Sequence, residues 1–136
     1  AWTPITAPPF LQPILGSAQI KDTLYLASAS GALYRKPLAL PQADWQQVSS
    51  YPYSELNNSL FTAVGGRLVV GLGAQGESDH RQMWSFREDR QWESLQAAPS
   101  GMQLALSFAY QGQVLLFTQK VMGSPAREIW AFSPPR

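Results

Sequence analysis

The chain has no cysteine, which excludes disulfides, thiolate metal sites and thiol nucleophiles while leaving the compartment open. It also lacks any apolar run near the roughly 18 residues that a membrane-spanning helix requires. Neither sign of charge dominates, with ten Lys and Arg against nine Asp and Glu and a formal net charge of +1. Nucleic acid calls for a basic excess or a Lys/Arg-rich stretch beside aromatics, and neither is present. Neither nucleic acid nor a membrane is therefore an expected partner. A single histidine, His80, falls short of a multi-His metal set, so no metal and no cofactor is expected. The sequence opens at Ala1 rather than Met, so a removed leader, and with it a secreted or periplasmic location, stays open.

Proline, glycine and aromatics are plentiful. Eleven Pro and ten Gly in 136 residues interrupt the chain too often for long helices. Five Trp, five Tyr and six Phe suit pleated sheets packed on both faces. The length is that of one domain.

An internal period organises these residues. Trp2, Trp45 and Trp92 each open a short segment that ends in a proline-containing turn, at spacings of 43 and 47 residues. A second landmark is a tight turn between apolar runs: Ile20-Lys21-Asp22-Thr23-Leu24, Val64-Gly65-Gly66-Arg67-Leu68 and Tyr110-Gln111-Gly112-Gln113-Val114. Gly-Gly and Gln-Gly suit the primed turns that join antiparallel strands, Lys-Asp more weakly. A third landmark aligns Ala32-Leu33-Tyr34-Arg35 with Met83-Trp84-Ser85-Phe86 and Ile129-Trp130-Ala131-Phe132. Each unit thus reads as four strands. The second of them is continuously apolar, as in Leu24–Ala27 or Val114–Phe117, which implies burial on both faces. Sheets stacked around an axis provide that double burial, and a repeat of about 40–50 residues is the propeller period.

The order of apolar strand, turn, Leu-Tyr-Leu-type strand, variable loop, Trp-x-Phe strand and Trp-x-x-Leu resembles the kelch repeat over nearly the whole chain. The paired glycines that this family carries after the second strand are replaced by Ala27-Ser28, Gly71-Leu72-Gly73 and Thr118-Gln119. The resemblance implies an all-β, kelch-like β-propeller with three four-stranded blades per chain in a single domain, 1–136. The blades are expected at about 17–48, 60–95 and 104–132, the last completed by strand 2–5 of a partner chain.

That completion is read from the termini. Joining Phe132–Arg136 to Ala1-Trp2 places Trp six positions after Phe, the spacing of Phe86 to Trp92 in the middle unit. Three blades are too few to close, since propellers run from about four to eight. The expected assembly is a head-to-tail homodimer forming a six-bladed ring. A segment cut from a longer six- or seven-bladed protein would carry the same ends.

Loops after the second strand share a face with the blade-to-blade connections, and these are the long segments where binding residues tend to ride. The most polar of them is Gln75-Gly76-Glu77-Ser78-Asp79-His80-Arg81. Glu77, Asp79, His80 and Arg81 are candidate sugar contacts or an acid/base set; an ordinary solvated hairpin loop is the competing reading. Tyr51 and Tyr53 beside Glu55 could stack on a sugar or a partner side chain, or seal a seam between blades. Gly71-Leu72-Gly73-Ala74-Gln75-Gly76 fits a dinucleotide template, but no helix signal follows, so it is discounted. The five tryptophans are assigned to packing by their periodic placement.

No catalytic residue is assigned. The expected function is a non-catalytic binding module that presents the loop-rich face to a protein or glycan. The alternative, implied by the resemblance, is a sugar-processing enzyme similar to the six-bladed kelch sialic-acid mutarotases. Fold analogy by itself separates these weakly.

Overall fold

The computed structural model describes residues 1–50, 60–72, 82–98, 102–120 and 127–135. Among these described residues are eleven strands in three antiparallel sheets stacked in chain order. The first sheet runs β1 (Ile14–Ile20), β2 (Thr23–Ser28), β3 (Ala32–Pro37) and β4 (Gln46–Ser50), and the second β5 (Leu60–Val64), β6 (Arg67–Gly71), β7 (Met83–Arg87) and β8 (Gln91–Leu95). The third has β9 (Met102–Tyr110), β10 (Gln113–Lys120) and β11 (Arg127–Phe132), three strands among the described residues. The inner strands β1, β5 and β9 pack in succession, so the sheets follow one another as neighbouring blades. This is the all-β, kelch-like propeller architecture.

Turn chemistry explains the hairpins. Gly65 and Gly66 have φ of 61° and 77°, and Gln111 and Gly112 have 48° and 76°, both pairs left-handed as a type I′ turn demands. At Lys21-Asp22 only the lysine is left-handed, with φ 52°, which fits its weaker turn signal.

Pairing register corrects one landmark. Leu24, Leu68 and Val114 each begin the apolar run of a second strand, and they lie opposite Lys36, Phe86 and Phe132. The residue equivalent to Phe86 and Phe132 is therefore Lys36, one position beyond Arg35. Lys36 is fully buried, and its Nζ donates to the carbonyls of Leu40 at 3.0 Å and Ala43 at 2.5 Å. Two fixed acceptors offset the cost of taking an ammonium out of water. A charge in the place of a core aromatic is why apolar pattern matching slipped by one.

Alternation along the strands gives every sheet two working faces. Tyr25, Ala27 and Leu33 of the first sheet meet Leu68, Val70 and Phe86 of the second in one buried cluster. The opposite face of the second sheet, with Leu60, Val69 and Met83, meets Val114 and Leu116 of the third. The core is thus two seams in series, each apolar at its centre.

Candidate functional site

The sequence-selected binding residues Tyr51, Tyr53, Glu55, Glu77, Asp79, His80 and Arg81 lie outside the described residues. The described grooves lie at the end of the sheets where the β1–β2, β3–β4, β5–β6 and β7–β8 turns gather.

The most connected polar cluster there straddles the first seam. Arg35 and Tyr25 lie opposite one another in β3 and β2, so both side chains leave the same face of the first sheet. Glu88 reaches them from the β7–β8 turn of the second. Its carboxylate accepts from Arg35 Nη1 at 2.6 and 2.5 Å and from the Tyr25 hydroxyl at 3.1 Å. Gln46 Oε1 takes the remaining guanidinium donors, Nε at 3.2 Å and Nη2 at 3.0 Å. Burial, reinforced by the Glu88 charge and hydrogen bond, pushes the Tyr25 phenol up to about 12 against the opposing pull of Arg35. A phenol held protonated so far above neutrality is a hydrogen-bond donor, unsuited to act as a base near pH 7.

Shallow grooves flank this cluster. One, of about 340 Å³, is lined by Thr23, Arg35, Pro37, Ala43, Asp44 and Gln46; another, of about 280 Å³, lies between Ile20 and Tyr25 on one side and Phe86–Asp89 on the other. Arg35 and Glu88 spend their charges on each other, so the cluster fixes the two blades and offers a ligand little. Its signal in the sequence was faint, because the partners are 53 residues apart on different repeats.

At the second seam a groove of about 110 Å³ collects Arg67, Arg87, Arg90 and Glu93. Arg67 donates to the Pro135 carbonyl, and burial followed by the Arg87 charge pulls its pKa below the ordinary guanidinium range. Arg90 lies 4.0 Å from Glu93. Among the described residues no three His, Asp or Glu side chains converge as metal ligands.

The fold and its seams define the class: a blade array of the kelch-like propeller type. The solved structure titled "Structure of YjhT" superposes with a TM-score of 0.63 over 83% of this chain and 36% of its own, at 17% identity, a likeness that carries the fold alone. Two curated proteins, both named N-acetylneuraminate epimerase, from Haemophilus influenzae strains PittEE and 86-028NP, are each 37% identical over 60 residues. The match takes in 43% of this chain and 16% of each relative's length. No protein-family model matches the chain.

Proposed function

We propose that the chain is a kelch-repeat propeller unit that acts on a sialic acid, which favours the sugar-processing reading over a purely binding one. The observation that carries this is the 37% identity over 60 residues to two proteins named N-acetylneuraminate epimerase. Support for the site comes from sequence order. In sequence His80 falls between β6 and β7, in the kind of connection on which binding residues tend to ride. Opening or closing a sugar ring needs one group to give a proton and another to take one. His80, with Glu77 and Asp79 beside it in sequence, offers those groups in this reading. The Tyr25–Arg35–Glu88 cluster holds blades together and takes no part in the chemistry.

The test is to add the protein to N-acetylneuraminate enriched in one anomer and follow exchange by NMR. Accelerated exchange that His80→Ala reduces at least tenfold is the expected result. Saturable binding without exchange returns the chain to the class of binding modules. No binding and no exchange removes sialic acid as the ligand.

A further inference from the structure

The first two sheets carry the same groove with different residues. Aligned on the Leu24–Lys36 and Leu68–Phe86 pairs, Thr23, Arg35, Pro37 and Gln46 are equivalent to Arg67, Ser85, Arg87 and Glu93. The first four line the groove of about 340 Å³, and the second four line that of about 110 Å³. The first sheet keeps its groove although the sheet that follows it has all four strands, so the groove belongs to the repeat. Its charge does not. Thr23 and Pro37 carry none, whereas Arg67 and Arg87 put two guanidinium groups at those places.

Nothing among the described residues balances that charge. Arg67 and Arg87 lie one step beyond the Leu68–Phe86 pair on adjacent antiparallel strands, so they stand side by side on one face, a destabilising arrangement for like charges. Arg90 adds a third cation from the β7–β8 turn, and Glu93 is the one carboxylate among the described lining residues, which leaves two positive charges in excess. Arg67 donates to the neutral Pro135 carbonyl, and Arg87 makes no side-chain hydrogen bond or ion pair among the described residues. Glu88 and Asp89 border the groove at the first seam, where Glu88 is committed to Arg35. Glu88 is thus the anion of the first seam. Counted from Phe86 and Phe132, its equivalent at the second seam is Pro134, which has no charge to give. Ser85 completes the lining; it is 3% exposed, and its hydroxyl makes no hydrogen bond among the described residues.

From this imbalance we propose that the groove at the second seam is an oxyanion site that takes the phosphoryl group of a small molecule, either free phosphate or a small phosphate ester. Two excess positive charges call for a dianion, and a carboxylate would neutralise only half of them. Guanidinium groups present paired N–H donors that match the oxygens of a tetrahedral oxyanion, and the Ser85 hydroxyl adds a neutral donor. The volume of about 110 Å³ equals that of roughly four waters at about 30 Å³ each, room for one such group, with the rest of an ester extending into solvent. Arg67 opens β6 and Arg87 closes β7, at the ends of these strands away from Gly71 and Met83, between which His80 falls in sequence. The site therefore does not rest on the sialic-acid reading.

Calorimetric titration of the 136-residue chain with inorganic phosphate, at constant ionic strength, is expected to show saturable binding at millimolar concentration. Acetate should bind roughly tenfold more weakly. Arg87→Gln is expected to weaken phosphate roughly tenfold or more, and Ser85→Ala a few-fold. In chloride buffer Arg87→Gln should melt no lower than the unaltered chain, since it loses no bond and relieves the repulsion of Arg67. Lys21→Gln, which removes an exposed charge from the β1–β2 turn, should leave binding unchanged. Methyl phosphate binding as tightly as inorganic phosphate identifies an ester as the ligand, and its exclusion identifies free phosphate. Absence of saturable phosphate binding overturns the proposal. So does binding that survives Arg87→Gln, binding weakened equally by Lys21→Gln, acetate binding as tight as phosphate, or a lower melting temperature for Arg87→Gln in chloride.

Discussion

At the first seam Tyr25, Ala27 and Leu33 meet Leu68, Val70 and Phe86, whereas at the second Val69 and Met83 meet Val114 and Leu116. The positions correspond strand for strand, but the residues finish the rim differently. Val69 and Ser85 of the second sheet stand where Tyr25 and Arg35 stand in the first. The first seam therefore carries an aromatic and ionic clip, whereas at the second the equivalent positions are aliphatic and small, and the rim is held by Arg67 donating to the Pro135 carbonyl. The difference teaches that the propeller architecture fixes which positions face a neighbour and leaves the chemistry at each seam free. Centre burial gives most of the cohesion, at roughly 25 cal/mol per Å² of apolar surface, while a rim ion pair adds ~1 kcal/mol or less.

The sharpest way to break the comparison is to remove the residue that anchors the first seam. Phe86 is 1% exposed, meets Tyr25 edge-on at 6.5 Å and packs on Trp92 at 4.9 Å. Phe86→Ala is expected to cost about 3–5 kcal/mol, the range for truncating a buried aromatic. Phe132, its equivalent at the second seam, is only partly buried, and Phe132→Ala should cost about half as much. Urea unfolding of both variants reads the difference. Equal losses would mean that the two seams do not differ in how they hold this aromatic.

A smaller effect separates the sheets themselves. Gly71 of β6 corresponds to Ala27 of β2, and a methyl group is accommodated at the second place alone. A Cβ on Gly71 would lie 2.4 Å from the Gln82 carbonyl oxygen and 2.9 Å from the Met83 Cα, both backbone atoms that cannot yield cheaply. Gly71→Ala should destabilise by about 1–3 kcal/mol, whereas Ala27→Gly should act mainly through lost packing and strand entropy, about 1 kcal/mol. Thermal unfolding of the pair checks the order. An unchanged Tm for Gly71→Ala would show that the Gln82 carbonyl moves aside.

Much of this frame was legible in the residues. The tryptophan period placed the outer strands, and Gly65-Gly66 and Gln111-Gly112 marked their hairpins because left-handed φ values favour such pairs. The kelch-like, all-β reading followed from those positions. The sequence could not show that Lys36 takes the place of Phe86, because a lysine satisfied by two carbonyls looks like a surface charge until its burial is seen. The β3–β4 connection of the first unit also delayed its tryptophan: nine positions separate Lys36 from Trp45, against six from Phe86 to Trp92. The Tyr25–Arg35–Glu88 clip was hidden for another reason. It joins two repeats at positions that the other seam fills with Val69 and Ser85, so no periodicity announces it. Of the candidate site, the sequence offered polar loop residues on one face, and all seven fall outside the described residues.

The clip supplies the finest contrast, one that appears only at high pH. Tyr25 has its phenol pushed from 10.0 to about 12, chiefly by burial and then by the Glu88 carboxylate. A folded-state pKa above the unfolded value means that the folded protein holds the proton more tightly. Its contribution to stability is complete below pH 10 and is lost as pH rises from about 10 to about 12. Because Val69 stands at the equivalent place in the second seam, no matching loss arises there. Tyr25→Phe should flatten this part of the pH–stability curve relative to the unaltered chain, measured by urea unfolding at matched pH. Glu88→Gln should leave a shallower slope than the unaltered chain but a steeper one than Tyr25→Phe, since burial remains when the neighbouring charge is gone. Its cost at neutral pH should be about 1 kcal/mol or less, as expected of a half-exposed ion pair. Identical slopes in all three proteins would show that Tyr25 titrates alike in the folded and unfolded chains, and that the hydrogen bond to Glu88 does not hold its proton.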